Sequence, residues 1–449
     1  MMTVDLKATP KMNADHVSGH REYPENALSK QCRRHILIVF HTSLPEIKGG
    51  INKMIVSLAQ GWIQRGHQVS ILSPGEWNDR VWSTKQYGSI TIHRQRLRVP
   101  WDKKNRLRGL LGWMVEFPQV IWKLLRFVRK EKVDLIHLHT PREYQYVIRV
   151  LRGLGGPPYV LTFHGTDALH FSKGQANHMP LLRWIARGAL AITAVAKHYA
   201  ALIEAHHPSL APVHVIANGI PVSSNLEALP QTQPFVHDGP MASNPRLLSL
   251  PARFFIQVGW VEPPKAPDVT VRAWGLLQAE HPDLHVLIIG DEPFLHANEP
   301  YYPGYLQQVK HLASDLGCET TVHFTGGVHP ALLTLIMRQA QGLVFPSHME
   351  GMPYVLLEAG LAGLPVICSD IPAFRELIDH ENNGLLFPRD DHEALAAAVN
   401  RLLEDETLGR VIGGNLRQKI VTHHDAATMA AAYMRLFQSL LSTCTGRGG

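Results

Sequence analysis

From His35 onwards, short apolar runs alternate with longer segments in which apolar residues recur at helical spacing. The first run, Ile36 to Phe40, is continuously β-branched or aromatic, as in a strand of a parallel sheet that is buried on both faces. A loop ending in Gly49-Gly50, a helix from Asn52 to Gln64 and a strand from Gln68 to Leu72 complete a predicted βαβ unit. Further strands are predicted at Ser89–His93, Leu135–Leu138, Tyr159–Phe163, Ala191–Val195 and Val213–Ile216. This alternation predicts a parallel sheet covered by helices on both faces.

A second series of strands and helices follows a break in the pattern. Residues 223–250 lose periodicity and collect Pro, Ser, Gln and Asn, which is typical of a linker. The alternation then restarts, with strands predicted at Phe254–Val258, Leu284–Ile289, Thr321–Phe324, Gly342–Phe345 and Pro365–Cys368, and helices at Pro267–Glu280, Tyr302–Leu316, Ala331–Gln339 and Pro353–Ala362. The predicted fold class is therefore α/β, with two Rossmann-like, doubly wound parallel-sheet domains at residues 35–222 and 251–425. Such sheets bind ligands at the carboxyl ends of their strands, so we expect the site in a cleft between the domains.

The two ends of the chain lie outside this alternation. Residues 1–34 are polar and lack an apolar h-region, so they are predicted to form a flexible tail and not a signal peptide. Residues 426–449 contain a predicted helix at Ala426–Leu441 with an apolar face, and its periodicity does not identify its packing partner. Because no run of about 18 apolar residues occurs, we expect a cytoplasmic protein.

The composition narrows the class of protein. With 449 residues, 45% apolar and 18% charged, the chain can form two or three domains with well-filled cores. It is neither a disordered chain nor a small disulfide-stapled one. The four cysteines (Cys32, Cys318, Cys368 and Cys444) lie far apart with no C-x-x-C pair, which argues against a zinc ribbon and fits a reducing compartment.

The charge is unevenly divided along the chain. Residues 1–225 hold 30 Lys and Arg against 14 Asp and Glu, a net charge of +16, whereas residues 226–449 hold 14 against 24, a net charge of −10. A basic half favours an anionic partner such as a membrane surface or a nucleic acid. No nucleic-acid-binding module is recognisable, so we do not expect nucleic acid as a partner.

Residues 94–132 concentrate the positive charge, with 12 Lys and Arg, three acidic residues, and Trp101, Trp113 and Trp122. The part from Leu110 to Val128 predicts an amphipathic helix with basic residues at its end, a pattern typical of a membrane interface. Each basic residue near an anionic surface contributes about 1 kcal/mol. The segment therefore predicts peripheral attachment to the inner face of a membrane. The alternative is an ordinary helix that covers the sheet and has a solvated charged rim.

The most informative stretch begins where the strand ending at Phe345 enters a polar loop. Glu350 lies in this loop, just before a helix that begins near Pro353 and is closed by Gly363. Glu358 lies more than a turn inside the helix, where it can face the same cleft.

Free backbone N–H groups at this helix N-terminus, from Gly351, Met352 and Tyr354, are expected to point at an approaching anion or hydroxyl. The arrangement suits a phosphorylated, polyhydroxylated ligand. The alternative is that Glu350 merely complements the helix dipole and that Glu358 is a solvated surface residue.

Glu350 and Glu358, with seven residues between them, resemble the E-x7-E signature of family 4 glycosyltransferases, which are retaining enzymes with the GT-B fold. The resemblance covers about residues 35–440. The other motifs that agree with the family, in chain order, are Gly49-Gly50, Arg65–Val69, Val133–His139, Thr162–Asp167, Val215–Ile220, Val258-Gly259, Lys265, Ile288–Asp291, Phe324–Val328 and Asn383-Gly384. The resemblance also implies that the C-terminal helix crosses back to the N-terminal, acceptor-side domain, and that the second domain binds the nucleotide-sugar.

The resemblance implies a role for each matching residue. Glu350 would hydrogen-bond the donor sugar, the backbone of residues 351–354 (Gly351, Met352, Pro353 and Tyr354) would hold sugar hydroxyls, and Glu358 would accept from the ribose. Lys265 would neutralise the diphosphate as the glycosidic bond breaks. Gly50, lacking a side chain, would let its loop approach the phosphates. His164 would lie beside the anomeric carbon.

Four further residues are weaker candidates for the site: Asp167, Gly49, Trp260 and Val328. Asp167 could equally cap the next helix, and Gly49-Gly50 could be a plain turn. In the same way, Lys265 could be a solvated loop charge.

Two positions depart from the family pattern. Trp260 stands where the family usually has an Arg, five residues before Lys265. Pro221 stands where the Asn-Gly-hydrophobic motif of the family usually continues with an Asp. In the family, this Arg and the Lys five residues after it normally both bind the diphosphate. Losing one removes two or three charge-assisted bonds, each worth about 1.5 to 3 kcal/mol.

The expected reaction is transfer of a sugar from a nucleotide diphosphate to a hydroxyl of a lipid-linked or saccharide acceptor, with retention at the anomeric carbon. No D-x-D motif appears, so we expect neither a metal nor a cofactor besides the donor substrate. Two alternatives stay open. One is another GT-B enzyme, such as a phosphorylase or sugar epimerase, and the other is a non-catalytic binding or scaffold protein weakened at Trp260.

Overall fold

The computed structural model describes residues 33–40, 49–74, 82–97, 99–100, 106–222, 250–296 and 299–445. The predicted tail, residues 1–34, lies outside the described residues except for its last two. The predicted linker, residues 223–250, lies outside them except for its last one. The tail and the linker therefore stay predictions.

The first domain is built on a mainly parallel sheet. Its strands within the described residues are β1 (His35–Val39), β2 (Gln68–Pro74), β3 (Ser83–Tyr87), β4 (Ile90–Gln95), β5 (Leu135–His139), β6 (Tyr159–Phe163), β7 (Ala191–Ala194) and β8 (Val213–Val215). They lie in the order β3-β4-β2-β1-β5-β6-β7-β8, and only the pairing of β3 with β4 is antiparallel. The predicted parallel sheet is confirmed. Strand β3 escapes prediction because its sequence, STKQY, is polar and largely exposed.

Helices cover this sheet on both faces. They are α1 (Gly50–Gln64), α2 (Arg106–Lys130), α3 (Tyr146–Gly153), α4 (Thr166–Ser172), α5 (Met179–Arg187) and α6 (Lys197–His206). Strand β1 explains why the first apolar run is continuous: Ile36 and Ile38 pack into one hydrophobic core, while Leu37 and Val39 pack into another. A central strand with two covered faces needs apolar residues at every position.

The second domain repeats the architecture with a parallel sheet of β9 (Arg253–Val258), β10 (Leu284–Ile289), β13 (Val322–Gly326), β14 (Gly342–Phe345), β15 (Val366–Ser369) and β16 (Leu385–Phe387). The order is β13-β10-β9-β14-β15-β16. Strands β11 (Phe294–His296) and β12 (Glu299–Pro300) form a separate antiparallel pair. Its helices are α7 (Pro267–Leu277), α8 (Tyr305–Asp315), α9 (Pro330–Gln339), α10 (Tyr354–Ala362), α11 (Pro372–Arg375), α12 (His392–Glu404) and α13 (Glu406–His423). The prediction of two parallel α/β domains is confirmed.

The last described helix, α14 (Ala426–Thr445), packs against the first domain. The Trp62 indole N–H donates to the carbonyl of Ala430 at 3.0 Å, and Tyr433 and Phe437 bury their rings against Trp62. A Cβ on Gly61 would lie 2.8 Å from the Cβ of Ala430, so a glycine lets the two helices approach closely. The expectation that the C-terminal helix crosses back is confirmed.

Helix α2 combines the two alternatives drawn from residues 94–132. In its second half Val120, Ile121, Leu124 and Val128 are buried, as in a helix that covers the sheet. Other side chains stay exposed: Leu111 at 51%, Val115 at 65% and Trp122 at 60% of their surface. Trp113 instead donates to the hydroxyl of Tyr146, and Trp101 lies outside the described residues. No helix in the described part of the chain is long and apolar enough to cross a membrane.

Candidate active site

The loops that follow strands β6 and β14 touch each other at the carboxyl ends of the two sheets. His164 and Gly165 follow β6, and Gly351 lies in the loop after β14. A Cβ on Gly351 would lie 1.9 Å from the carbonyl oxygen of His164, so only glycine allows this approach. The fold therefore brings His164 and the Glu350 loop together, as the sequence predicts.

Glu350 is held in a compact polar cluster. It is 9% exposed, and its Oε1 accepts hydrogen bonds from Lys265 Nζ at 2.5 Å and from Ser347 Oγ at 2.9 Å. Its backbone carbonyl accepts from the hydroxyl of Tyr199, in the first domain, at 2.8 Å. Glu350 and Lys265, each predicted as a site residue, are thus in contact with each other. The loop that carries Glu350 is also held by Tyr199 of the first domain.

Lys265 owes its position to the chain after β9. Pro263–Lys265 forms a single 3₁₀ turn, and Ala266 follows with a φ of 46° before α7 begins. The carbonyl of Lys265 accepts from the side-chain amide of Gln257 at 2.8 Å. The alternative that Lys265 is a solvated loop charge does not fit this structure, because its ammonium faces a nearly buried carboxylate.

Glu358 lies on α10, where its carboxylate forms an ion pair with Lys53 of α1. Burial raises the pKa of Glu358, and the Lys53 ammonium acts against this shift. Both side chains keep about a fifth of their surface exposed, at 20% for Lys53 and 21% for Glu358. Lys53 is a site residue that the sequence analysis misses, because nothing local marks a lysine that pairs across 305 positions.

Helices α1 and α10 begin side by side. A Cβ on Gly50 would lie 3.0 Å from the Cβ of Tyr354, and the hydroxyls of Tyr354 and Ser57 are 2.9 Å apart. Pro353 is the N-cap of α10 and Gly363 ends it with a φ of 72°, as the sequence predicts. Gly50 thus lies beside the E-x7-E helix, although a direct role in phosphate binding stays a prediction.

Met352 joins the two domains. Its side chain is buried in the core of the first domain, and its carbonyl accepts from the side-chain amide of Asn218 at 2.9 Å. The Asn218-Gly219 motif therefore positions the loop of the second domain. The structure does not test whether the backbone N–H groups of residues 351–354 bind the donor, so that role stays a prediction.

His164 is buried, and its Nε2 shares a hydrogen bond of 2.9 Å with Nδ1 of His139. Burial lowers the pKa of His164 to about 3, so the imidazole is neutral at pH 7. Its Nδ1 is also buried and has no hydrogen-bond partner among the described residues. The sequence offered a signal for His139, because His137 and His139 alternate on β5 and so share one face of the sheet.

Asp167 supports the His164 loop through the backbone. Its carboxylate accepts from the N–H groups of His164 at 3.0 Å, Gly165 at 2.7 Å and Ala168 at 2.9 Å. Burial raises the pKa of Asp167, while these hydrogen bonds act in the opposite direction. Asp167 is not the N-cap of the following helix: it lies in the first turn of α4, whose N-cap is Gly165, and its contacts hold the backbone of the His164 loop.

In the part of the chain that the structure describes, the other weaker candidates make no contact with Glu350, Glu358 or His164 that places them in the site. Trp260 is 41% exposed. It directly follows Gly259, and it is Gly259 that lies near the side chain of Lys265. Val328 is half-buried against the core, and Gly49 precedes α1 with a φ of 86°. Among the described residues, no group of three or more His, Cys, Asp or Glu side chains could hold a metal ion. The expectations of no metal and no cofactor stay predictions.

Two parallel α/β domains that meet at the carboxyl ends of their strands form the GT-B fold. Family models match each domain: "Glycosyltransferase Family 4" matches residues 48–224, and "Glycosyl transferases group 1" matches residues 244–421. The chain belongs to family 4 of the glycosyltransferases.

Relatives and solved structures agree with this assignment. Phosphatidyl-myo-inositol mannosyltransferase of Mycolicibacterium smegmatis is 26% identical over 88% of this chain and 91% of its own length. Sucrose-phosphate synthase of Thermosynechococcus elongatus has a TM-score of 0.70 at 20% identity, over 92% of this chain and 100% of that one. HepE of Anabaena, solved in complex with UDP and glucose, has a TM-score of 0.66 at 17% identity, over 90% and 99%. At these identities the two structures establish the fold alone.

Proposed function

We propose that the protein is a retaining glycosyltransferase that moves a sugar from a nucleotide diphosphate donor to an acceptor hydroxyl. The observation that carries this proposal is the contact between Lys265 and the nearly buried Glu350, next to Glu358 on the helix that follows. A cation and a carboxylate for the sugar are then in contact at the loop before α10, and a carboxylate for the ribose lies on α10 itself. HepE, which was solved with UDP and glucose bound, supports a donor of this class.

The chemistry assigned to each residue follows from its charge. Lys265 would neutralise the diphosphate as the bond between the anomeric carbon and the phosphate oxygen breaks. Glu350 would orient the sugar, and neutral His164 would lie next to the reacting carbon. The acceptor oxygen would bond to that carbon from the same face, and its proton would pass to the departing phosphate. None of these roles requires a metal or a cofactor.

The acceptor that we propose is lipid-linked or a saccharide, as in glycolipid or polysaccharide synthesis. The exposed apolar residues of α2 and the basic first half of the chain favour a lipid-linked acceptor presented at an anionic membrane. The relative from Mycolicibacterium smegmatis, a phosphatidyl-myo-inositol mannosyltransferase, is named for a lipid, which supports the same choice. The protein would then act on the cytoplasmic face of the membrane as a peripheral protein.

Calorimetric titration with a panel of UDP-sugars and GDP-sugars tests the donor site. We expect at least one donor to bind, and Glu358→Ala to weaken that binding about ten-fold or more, since a hydrogen bond to a charged group contributes about 1.5 to 3 kcal/mol. If no donor binds, or if Glu358→Ala binds the donor as tightly as wild type, the donor-site assignment is wrong.

A second candidate function is a non-catalytic binding or scaffold protein, which the uncharged Trp260 favours. An assay of nucleotide release with lipid-linked and saccharide acceptors separates the two functions. Transfer to any acceptor supports the enzyme. Donor binding without turnover across the acceptor panel supports the scaffold.

A further inference from the structure

The donor site has an uncharged residue at a position where the diphosphate needs a cation. Trp260 occupies the place of the Arg that the family resemblance implies. The other expected cation, Lys265, forms an ion pair with Glu350 at 2.5 Å. A nucleoside diphosphate carries more negative charge than this one lysine neutralises, so a second cation from elsewhere in the fold would strengthen its binding.

Lys53 is a candidate for this second cation. It is in the first turn of α1, three residues after Gly50, whose loop is expected to approach the phosphates. Its ammonium pairs with Glu358 and lies 5.9 Å from the centre of the Tyr354 ring. The first domain therefore places a lysine against the helix of the second domain that carries the predicted ribose ligand.

Donor binding would bring a competing group to each partner of this ion pair. Glu358 is proposed to accept hydrogen bonds from the ribose, yet its carboxylate is engaged by Lys53. Lysine is a flexible four-carbon chain with three donors at its end, and both side chains are partly exposed, so Lys53 can turn away without repacking the core. A diphosphate offers the ammonium more charge than a single carboxylate does.

We propose that Lys53 exchanges Glu358 for the diphosphate of the donor, and so supplies the cation that is absent at Trp260. This inference rests on the proposed donor site. The exchange couples two events: the phosphates gain a lysine, and the ribose gains a free carboxylate. In the donor-free protein the same lysine holds α1 and α10 together.

Calorimetry with UDP, GDP and inorganic pyrophosphate at one salt concentration tests the exchange. We expect Lys53→Met to weaken the binding of a nucleoside diphosphate and of pyrophosphate about ten-fold or more, and Lys53→Arg to retain most of the affinity. Lys419→Met is the matched control. It breaks the Lys419–Asp379 ion pair, 2.9 Å long, on the surface of the second domain, and should leave binding unchanged.

Glu358→Gln separates the effect on the phosphates from the effect on the ribose, because pyrophosphate has no ribose. We expect it to weaken nucleotide binding but to strengthen pyrophosphate binding several-fold, since Lys53 is released. In the double variant Lys53→Met/Glu358→Gln, most of that gain should disappear. Thermal unfolding of each variant shows that it is folded.

The outcomes separate this inference from the proposed function. If wild type binds nucleotide and Lys53→Met binds it equally well, the role of Lys53 is wrong and the donor site stands. If Glu358→Gln improves pyrophosphate binding equally with and without Lys53, the gain comes only from removing a negative charge, and the exchange is wrong. If wild type binds neither nucleotides nor pyrophosphate, the donor site and the inference are both overturned.

Discussion

At Gly351 the backbones of the two domains approach each other closely within the site. A Cβ there would lie 1.9 Å from the carbonyl oxygen of His164 and 3.2 Å from the Cα of Gly165. Both are backbone atoms, so neither can rotate out of the way as the end of a side chain could. An added methyl group must therefore push apart the loops that hold His164 and Glu350.

We expect Gly351→Ala to lower the free energy of unfolding by about 1–3 kcal/mol, the usual cost of overpacking. It should also weaken donor binding, because the loop of Glu350 moves. Urea unfolding and calorimetry measure the two effects. Gly414→Ala is the control, since Gly414 lies in α13 with open space around its Cα, and should stabilise the protein by up to about 1 kcal/mol. An unchanged unfolding midpoint for Gly351→Ala would show that the loops separate freely.

Helix α2 has two halves with different surroundings. The second half buries Val120, Ile121, Leu124 and Val128, whereas Leu111 and Val115 in the first half face solvent, as does Trp122 about two turns further on. The basic residues Arg129 and Lys130 end the helix. An exposed apolar strip on a helix that ends in basic residues is the pattern expected of a segment that binds an anionic bilayer interface.

We expect wild type to co-sediment with vesicles that contain anionic lipid and to be released by salt, because both apolar insertion and charge contribute. The double variant Leu111→Ser/Val115→Ser should bind the vesicles several-fold more weakly. Val411→Ser is the control, since Val411 is 50% exposed on α13, in the second domain. Binding that is independent of anionic lipid, salt and these substitutions would exclude the proposed surface.

The elements differ in how well the sequence predicts them. Strands β6, β10 and β14 have the predicted bounds, because each is a run of residues buried on both faces. Helix α1 begins two residues earlier than predicted, and α8 (Tyr305–Asp315) is shorter at both ends, since caps depend on local backbone geometry. Strand β3 exists through pairing with β4, which a polar sequence does not reveal.

The site divides in the same way. Glu350 and Glu358 lie within one loop and one helix, so their relation follows from spacing along the chain. Lys53, His139 and Tyr199 reach the site only through the approach of separate elements. Local pattern places His139 on one face of β5, but it does not show which residues of other elements these three side chains contact.

Glu376, in the second domain, accepts hydrogen bonds from the first turn of helix α6, in the first domain. Its carboxylate accepts from the N–H of Lys197 at 2.7 Å, from the N–H of His198 at 2.9 Å and from His198 Nδ1 at 2.6 Å. Helix α6 has no side-chain cap of its own, so this carboxylate caps it from across the domain boundary. Burial alone would raise the pKa of Glu376, but these hydrogen bonds lower it below its ordinary value.

We expect Glu376→Gln to lower the thermal unfolding midpoint, at a cost of about 1 kcal/mol, the usual effect of losing a cap. A carboxyl with a lowered folded-state pKa stabilises the fold at pH values above its unfolded pKa, about 4.3, and the effect is lost as the pH falls through the folded value. The difference from wild type should therefore be constant from pH 7 to 5 and shrink below about pH 4. Glu319→Gln, at an exposed position, is the control. A difference that already shrinks as the pH falls from 7 to 6 would show that titration of the Glu376 carboxylate is not its cause.

The packing of α14 against α1 has a consequence for synthesis. The rings of Tyr433 and Phe437 pack against Trp62. These two residues emerge from the ribosome after almost the whole second domain has been made. At about 5 to 20 residues per second, the apolar face of α1 therefore waits tens of seconds for its cover. The domain that is translated first is thus the last to be finished, and a nascent chain must keep that face from aggregating until its final helix arrives.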